Sequence, residues 1–540
     1  MKIATTQAQV FTIGGFAPII SPDGEIILKL TTRGTCFPAR SDGYTARSSF
    51  FQILSYPNVD NKVYIDYSDG TGWHEYAFKS NNNNRGISFR CNDSTDPTQV
   101  TTASGVYGVT PNDGFGGGQF GLHFYQDLTD PGKINTVDHY YAQERDIFIK
   151  FDKPTQLQSI ICFNTVFLAT FPSLAKLRNL TELILSLIPE LAAFENEAVN
   201  TLLEVVSLAD LGITSNIIPL WIKNSPVSRL DLSDFLVTTT TAEFETEIVN
   251  AFKNTLERLT LSSVDVNYAM PESFSELTKL ENLTMRDNRA SENFTFPADL
   301  SPLVNFTTLD LRGRASFPLA QLKRYIAEVP STNKYIDIRG FGTTTTAIDF
   351  VLDNDDYTVG TLSAAYGRWN NGAPPTCIGQ MKALEELTIY GSYNYSVSNG
   401  AFNLLSWGDF SGATALKEIN FRWQQKMDLN FPAWLVNLTE LKIFDCHASF
   451  ETLQKMDDFV NSVYDFITTN ASITEGNSPF RIMHIKTYRS ASPLNSFHPT
   501  GIYQEPTGYV QGSANGTPTT PLEKVWVLTH QYQHTWVLKP

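Results

Sequence analysis

Apolar residues in this chain return as short alternating triplets between about Leu157 and Ile443. They read Leu183-Ile184-Leu185, Leu230-Asp231-Leu232, Leu259-Thr260-Leu261, Leu283-Thr284-Met285, Leu309-Asp310-Leu311, Ile336-Asp337-Ile338, Leu387-Thr388-Ile389 and Leu441-Lys442-Ile443. An apolar–polar–apolar triplet predicts a short strand with one buried face. First anchors fall at 160, 183, 206, 230, 259, 283, 309, 336, 362, 387, 419 and 441, and most steps are 22 to 29 residues. A near-constant return distance stacks such strands side by side, and a stack presents a long surface rather than enclosing a reaction centre.

The segments between the triplets have their own pattern. Phe171-Pro172, Met270-Pro271, Phe296-Pro297 and Phe431-Pro432 each open a series of apolar residues three apart, as in Phe274, Leu277 and Leu280. Thr241–Arg258 and Phe317–Val329 instead carry the i, i+3, i+4 spacing of a helix. So does Phe450–Asn470, which is expected to cap the open end of the stack. Triplet and upstream Pro together resemble the leucine-rich repeat family over about 300 of the 540 residues. The family's Asn (or Cys) three residues after the second anchor is met only by Asn288 and Cys446, with Arg314, Phe235 or Val264 among the replacements. An Asn ladder is therefore absent and an irregular solenoid is expected over residues 155–489.

Residues 1–154 lack the triplets. Short alternating runs at 25–32, 49–56, 62–67, 73–78, 86–91, 121–126 and 146–151, separated by turn residues, predict a β-sandwich. Val63 to Thr71 followed by His74-Glu75-Tyr76 resembles the strand–turn–strand of PKD-like, immunoglobulin-type modules, with Asp69-Gly70 as the turn. Residues 490–540 form a third segment. A Ser/Thr/Gly/Pro-rich linker runs to Pro521, and two aromatic runs, Leu522–Leu528 and Tyr532–Leu538, are expected to be paired docking strands carrying Trp526 and Trp536. The expected class is α+β: a sandwich, an irregular solenoid and a C-terminal β docking segment.

Composition narrows the functions. The chain is 42% apolar and 18% charged, enough to bury a large core. Net charge is −16 with no basic run, which argues against nucleic acid as a partner. Five scattered cysteines without a C-x-x-C pair give neither a disulfide framework nor a zinc site. No apolar run spans a bilayer, and Met1–Val10 lacks the pattern of a secretion signal, so export as part of a particle assembled inside the cell is expected. Phosphate-binding, nucleophile-elbow and zinc-protease motifs are all missing. His530-x-x-x-His534 has metal-type spacing but no further ligand beside it in sequence. No enzyme, cofactor or metal is expected.

The remaining candidate chemistry follows from the repeat. Residues between the anchors and just after them face outward, on the concave side in the leucine-rich family. The first column reads Asp231, Thr260, Thr284, Asp310, Asp337, Thr388, Asn420, and the second Ser233, Ser262, Arg286, Arg312, Arg339, Tyr390, Arg422, with Trp423 beside it. Guanidinium forks, carboxylates and flat rings suit polar ligands, or else satisfy one another between rungs. PKD-like modules beside leucine-rich repeats are similar to surface proteins of Bacteroidetes and of their phages. This resemblance implies a structural or attachment protein of a virion (fibre, tail or head decoration), binding a host-surface glycan or protein. Other particle proteins or further copies of the chain are its expected neighbours. A bacterial cell-surface adhesin is the alternative, and a carbohydrate-active enzyme the third possibility.

Overall fold

The computed structural model describes residues 145–163, 170–171, 179–188, 201–213, 218–235, 240–287, 290–314, 316–339, 351–365, 376–390, 407–424, 431–448, 453–470, 482–486, 504–510 and 516–539. To these it adds isolated positions between 174 and 194 and seven strands before residue 145. The chain divides into two compact units, Met1–Val264 and Asp265–Pro540.

In the first unit, β1 (Ala17–Ile20), β2 (Ile26–Thr32), β3 (Phe50–Ser55), β4 (Lys62–Asp66), β5 (Trp73–Ala77), β6 (Gly86–Arg90), β7 (Gly118–Phe120) and β8 (Arg145–Phe151) precede the repeats. Five of them form an antiparallel sheet in the order β1-β2-β8-β4-β5. Its register puts Leu28, Leu30, Ile147, Ile149, Val63 and Ile65 in the columns of one face, and Lys29, Lys150, Tyr64 and Asp66, with Ile27 and Phe148 among them, in those of the other. That alternation made these strands legible. β3 runs antiparallel to β9 (Leu157–Phe163), with Phe51 opposite Cys162, and β6 and β7 follow outward from β3. Three N-terminal strands thus extend the repeat sheet across its first edge. The expected strand at 121–126, the Asp69-Gly70 turn and the side chains that would pack two sheets into a sandwich lie outside the described residues.

The first repeats follow as β10 (Thr170–Phe171), β11 (Glu182–Ile188), β12 (Ala193–Phe194), β13 (Val205–Leu211), β14 (Arg229–Asp231) and β15 (Arg258–Thr260). From β9 through β11, β13, β14 and β15 the main strands are parallel, with Ile160, Leu183, Val206, Leu230 and Leu259 in one register column. All five are buried. Phe171, Phe194 and Trp221 pack ring against ring on the return side, 6.1 to 6.4 Å apart. The helix at Thr241–Phe252 contains a π turn at Glu245–Val249 and buries Phe244, Ile248 and Phe252.

The second unit is one parallel series: β16 (Asn282–Thr284), β17 (Thr308–Asp310), β18 (Lys334–Asp337), β19 (Val359–Ala365), β20 (Glu386–Tyr390), β21 (Glu418–Gln424), β22 (Ile443–Ala448), β23 (Ile482–Lys486) and β24 (Thr535–Lys539). Leu283, Leu309, Ile336, Leu362, Leu387 and Ile419 share a column, as the triplets predict.

Three expectations are corrected here. The anchor after Ile419 is Phe444, with Cys446 opposite Phe421, so Leu441-Lys442-Ile443 is not a strand triplet. Leu441 instead ends a tight turn series, in which Leu435, Leu438 and Leu441 donate back to Pro432, Leu435 and Leu438. The long helix, Leu453–Thr469, does not cap the stack, because β23 and β24 pair beyond it. The C-terminus is not a pair of strands. Pro521–His530 is a helix that buries Val525, Val527 and Leu528, and only Thr535–Lys539 is a strand, parallel to β23. A helix followed by a parallel strand is one more repeat.

Candidate functional site

The outward row is positioned by a turn that recurs in the rungs of β11, β13, β14, β15, β16 and β17. Two residues after the second anchor the backbone is left-handed: Leu187, Asp210, Asp234 and Ser263 in the first unit have φ of 53° to 56°, and Asp287 and Gly313 in the second have 74° and 75°. The amides of these turns donate across the rungs. Asp210 N–H reaches Ser233 O at 2.8 Å and Asp234 N–H reaches Ser262 O at 2.9 Å. Asp287 N–H reaches Arg312 O and Gly313 N–H reaches Arg339 O, both at 2.7 Å. This backbone ladder satisfies polar groups that an Asn ladder would otherwise hold. It also fixes Arg286 and Arg312, the residues just before the turns at Asp287 and Gly313, and Arg339, whose carbonyl accepts from Gly313 N–H. Asn288 lies outside the described residues, and Arg314, at the equivalent position one rung on, is fully buried.

Those arginines and the two aspartates of the neighbouring column form a chain of alternating charge. Arg286 donates from Nε and Nη2 to Asp310 Oδ2 at 2.9 and 2.7 Å. Arg312 donates to the same carboxylate from Nε, at 3.0 Å to Oδ1, and from Nη2, at 2.8 Å to Oδ2. Its Nε also lies 3.4 Å from Asp337 Oδ2. Arg339 holds Asp337 in turn, with Nε 2.9 Å from Oδ1 and Nη2 2.7 Å from Oδ2. Each aspartate also accepts the backbone N–H two residues on, at 3.2 Å. The same short-range geometry recurs at Asp231, which accepts from Ser233 N–H and Oγ at 3.0 and 2.6 Å.

Burial is unequal along this chain. The side chains of Arg286, Arg312 and Arg339 are 43, 32 and 24% exposed, whereas those of Asp310 and Asp337 are 6 and 0%. The carboxylates are thus internal struts, and the guanidiniums are the part that solvent reaches. Burial, together with the charge of Asp337, pushes Asp310 up to about 6 against the pull of Arg286. Tyr335, which sequence reading missed, donates its hydroxyl to Asp337 Oδ2 at 3.2 Å and is itself raised by burial. It sits one residue before an anchor, outside the two columns, so only the strand register brings it to this face.

The structure brings Arg286, Asp310, Arg312, Asp337 and Arg339 together. Tyr390 is placed in β20 and Arg422 and Trp423 in β21, with Tyr390 opposite Arg422, and their side chains lie outside the described ones. Trp526 sits on the C-terminal helix, stacked on His530 at 4.1 Å and edge-on to Tyr509 at 5.0 Å. Trp536 is in β24 opposite Met483. His530 and His534 do not share a helix face: the helix ends at His530 and His534 is buried beyond it. Among the described residues no three His, Cys, Asp or Glu side chains are grouped to hold a metal, and no helix is long and apolar enough to cross a membrane.

No family model matches the chain. No curated protein matches it significantly. Among solved structures it is similar to an internalin of Listeria monocytogenes, at 13% identity and a TM-score of 0.28 over 64% of this chain and 86% of that one. It is also similar to the Arabidopsis receptor kinase HAESA, solved with the peptide hormone IDA and the co-receptor SERK1. There identity is 12% and the TM-score 0.18, over 59% of this chain and 70% of that one. The repeat architecture stated above rests on the parallel register of this chain's own strands.

Proposed function

We propose that this chain is a non-enzymatic binding protein of a phage virion (a fibre, tail or head-decoration component) that attaches to a host-surface glycan or protein through the face of its repeat sheet. One observation carries the binding half of this reading. Arg286, Arg312 and Arg339 stand on consecutive rungs as partly exposed cations, anchored by carboxylates that are themselves buried. Side chains already held in place lose little further entropy on contact, which favours recognition. The particle half is supported by the likeness of Val63 to Tyr76 to PKD-like modules beside repeats. A bacterial cell surface is the alternative residence.

The test must respect the buried struts. Removing the three arginines alone leaves Asp310 and Asp337 as unpaired buried charges, at a cost of roughly 3–5 kcal/mol each. The informative variant is therefore neutral throughout: Arg286→Gln, Arg312→Gln, Arg339→Gln, Asp310→Asn and Asp337→Asn. Attachment of the purified full chain to cells of its source culture should fall at least tenfold in this variant, with cooperative unfolding retained. Attachment unchanged in the folded variant removes the binding reading. Quantifying the chain in purified particles from that culture tests residence, and recovery with the cell envelope instead would make it a surface adhesin.

A further inference from the structure

The chemistry of the face around the arginine row narrows the partner. On β16 to β18 the outward positions are Asn282, Thr284 and Arg286, then Thr308, Asp310 and Arg312, then Tyr335, Asp337 and Arg339. On β19 they continue as Thr361 and Ser363. On β16 to β18 none of these nine outward positions is aliphatic, and the third outward position of β19 is Ala365. Protein interfaces draw their energy from an apolar, desolvated centre with a polar rim, and on β16 to β18 this face has the rim's chemistry. Thr284 and Ser363 are buried, but Asn282, Thr308, Thr361 and the half-buried Tyr335 ring reach solvent as groups that hydrogen-bond and stack on a hydrated polymer.

Charge and spacing add to this. Three guanidiniums face two carboxylates, so the chain of five keeps an excess positive charge with arginine at both ends. Arg286 and Arg312 spend Nε and Nη2 on the struts, and among the described residues their Nη1 groups make no hydrogen bond. Each holds a donor ready for an external anion. The donors recur once per rung, and neighbouring strands are spaced roughly 4.8 Å apart. Carboxylates on one side of an extended peptide instead recur every second residue, at roughly 6.8 Å.

We infer that the face of β16 to β19 binds an acidic polysaccharide laid across the strands, its carboxylate or sulfate groups meeting Arg286, Arg312 and Arg339 in successive rungs. The inference rests on the binding reading above and sharpens it from a host-surface ligand to an anionic glycan.

Calorimetry of the full chain with oligogalacturonate, neutral dextran and poly-glutamate separates the cases. Binding of oligogalacturonate that weakens about tenfold in the neutral five-residue variant, weakens with added salt, and is absent for dextran is the expected result. Arg286→Gln alone leaves Asp310 paired with Arg312, so it should fold normally and weaken binding about threefold. Equal or tighter binding of poly-glutamate overturns the glycan assignment in favour of an acidic protein. No oligogalacturonate binding, or binding unchanged in the variant, overturns it outright. If cell attachment still depends on the row while oligogalacturonate does not bind, only the ligand class fails. If attachment ignores the row, the binding reading itself fails.

Discussion

Gly313 has φ of +75°, and a Cβ there would lie 3.1 Å from Asp287 Cα and 3.2 Å from its amide nitrogen, both backbone atoms that cannot swing aside. Gly313→Ala should therefore cost about 1–2 kcal/mol, read as a lower thermal midpoint, because it pays both for a left-handed alanine and for the crowding. Asp310 offers a second test at this scale. Its folded value of about 6 lies above the roughly 3.9 of an unfolded aspartate. The native state then holds the extra proton, so this residue's contribution to stability is fully present below about pH 4 and is lost as pH rises through about 6. Asp310→Asn should flatten the difference by up to roughly 3 kcal/mol across that window, seen by comparing thermal midpoints of both proteins at pH 4.5 and 7. The columns of Arg and Asp were readable because anchors on either side fixed their register. What the sequence hid was the direction of each fork, since an arginine beside an aspartate reads equally as ligand site or as salt bridge. The structure places the carboxylates inside as struts and leaves the guanidiniums partly exposed.

Among the elements, strands were legible wherever an apolar triplet was unambiguous, and errors came where two periods overlapped. In the repeats opened by Pro271 and Pro297 the anchor lies twelve residues on, at Leu283 and Leu309. The same count from Pro432 reaches Phe444, the observed anchor, whereas Leu441 belongs to the three-residue period of the return. The C-terminal helix shows a different failure. Trp526-Val527-Leu528 reads as strand by residue type, yet Thr520-Pro521 with Glu523 is a helix start. Glu523 N–H donates to Thr520 Oγ1 at 3.3 Å, and Thr520 N–H to Glu523 Oε2 at 2.9 Å. Backbone and hydroxyl bonds of Thr519 and Thr520 hold Glu523 below the usual carboxylate range against its burial. Thr520→Ala should cost about 1 kcal/mol. Hydrogen exchange should show faster opening of Pro521–His530, with the strands of β16 to β18 unaffected.

At the scale of the molecule, the repeats of each unit are a run of parallel strands whose cores are buried rung by rung, and the proposed recognition resides in what the outward columns carry. Within the second unit those columns change from the charged set of β16 to β18 to Thr361, Ser363 and Ala365 on β19, which ends the run of consecutive arginines at three rungs, with Arg422 apart from it on β21. A local site on a repeated scaffold predicts local protection. The measurement that tests this most directly is arginine-specific labelling with phenylglyoxal, read by mass spectrometry, with the full chain free and then bound to cells of its source culture. Arg286 and Arg312 should become protected on binding, while Arg229 and Arg258, exposed on the first unit's strands, keep their labelling. Equal labelling of Arg286 and Arg312 in the free and bound chain would contradict recognition through this face.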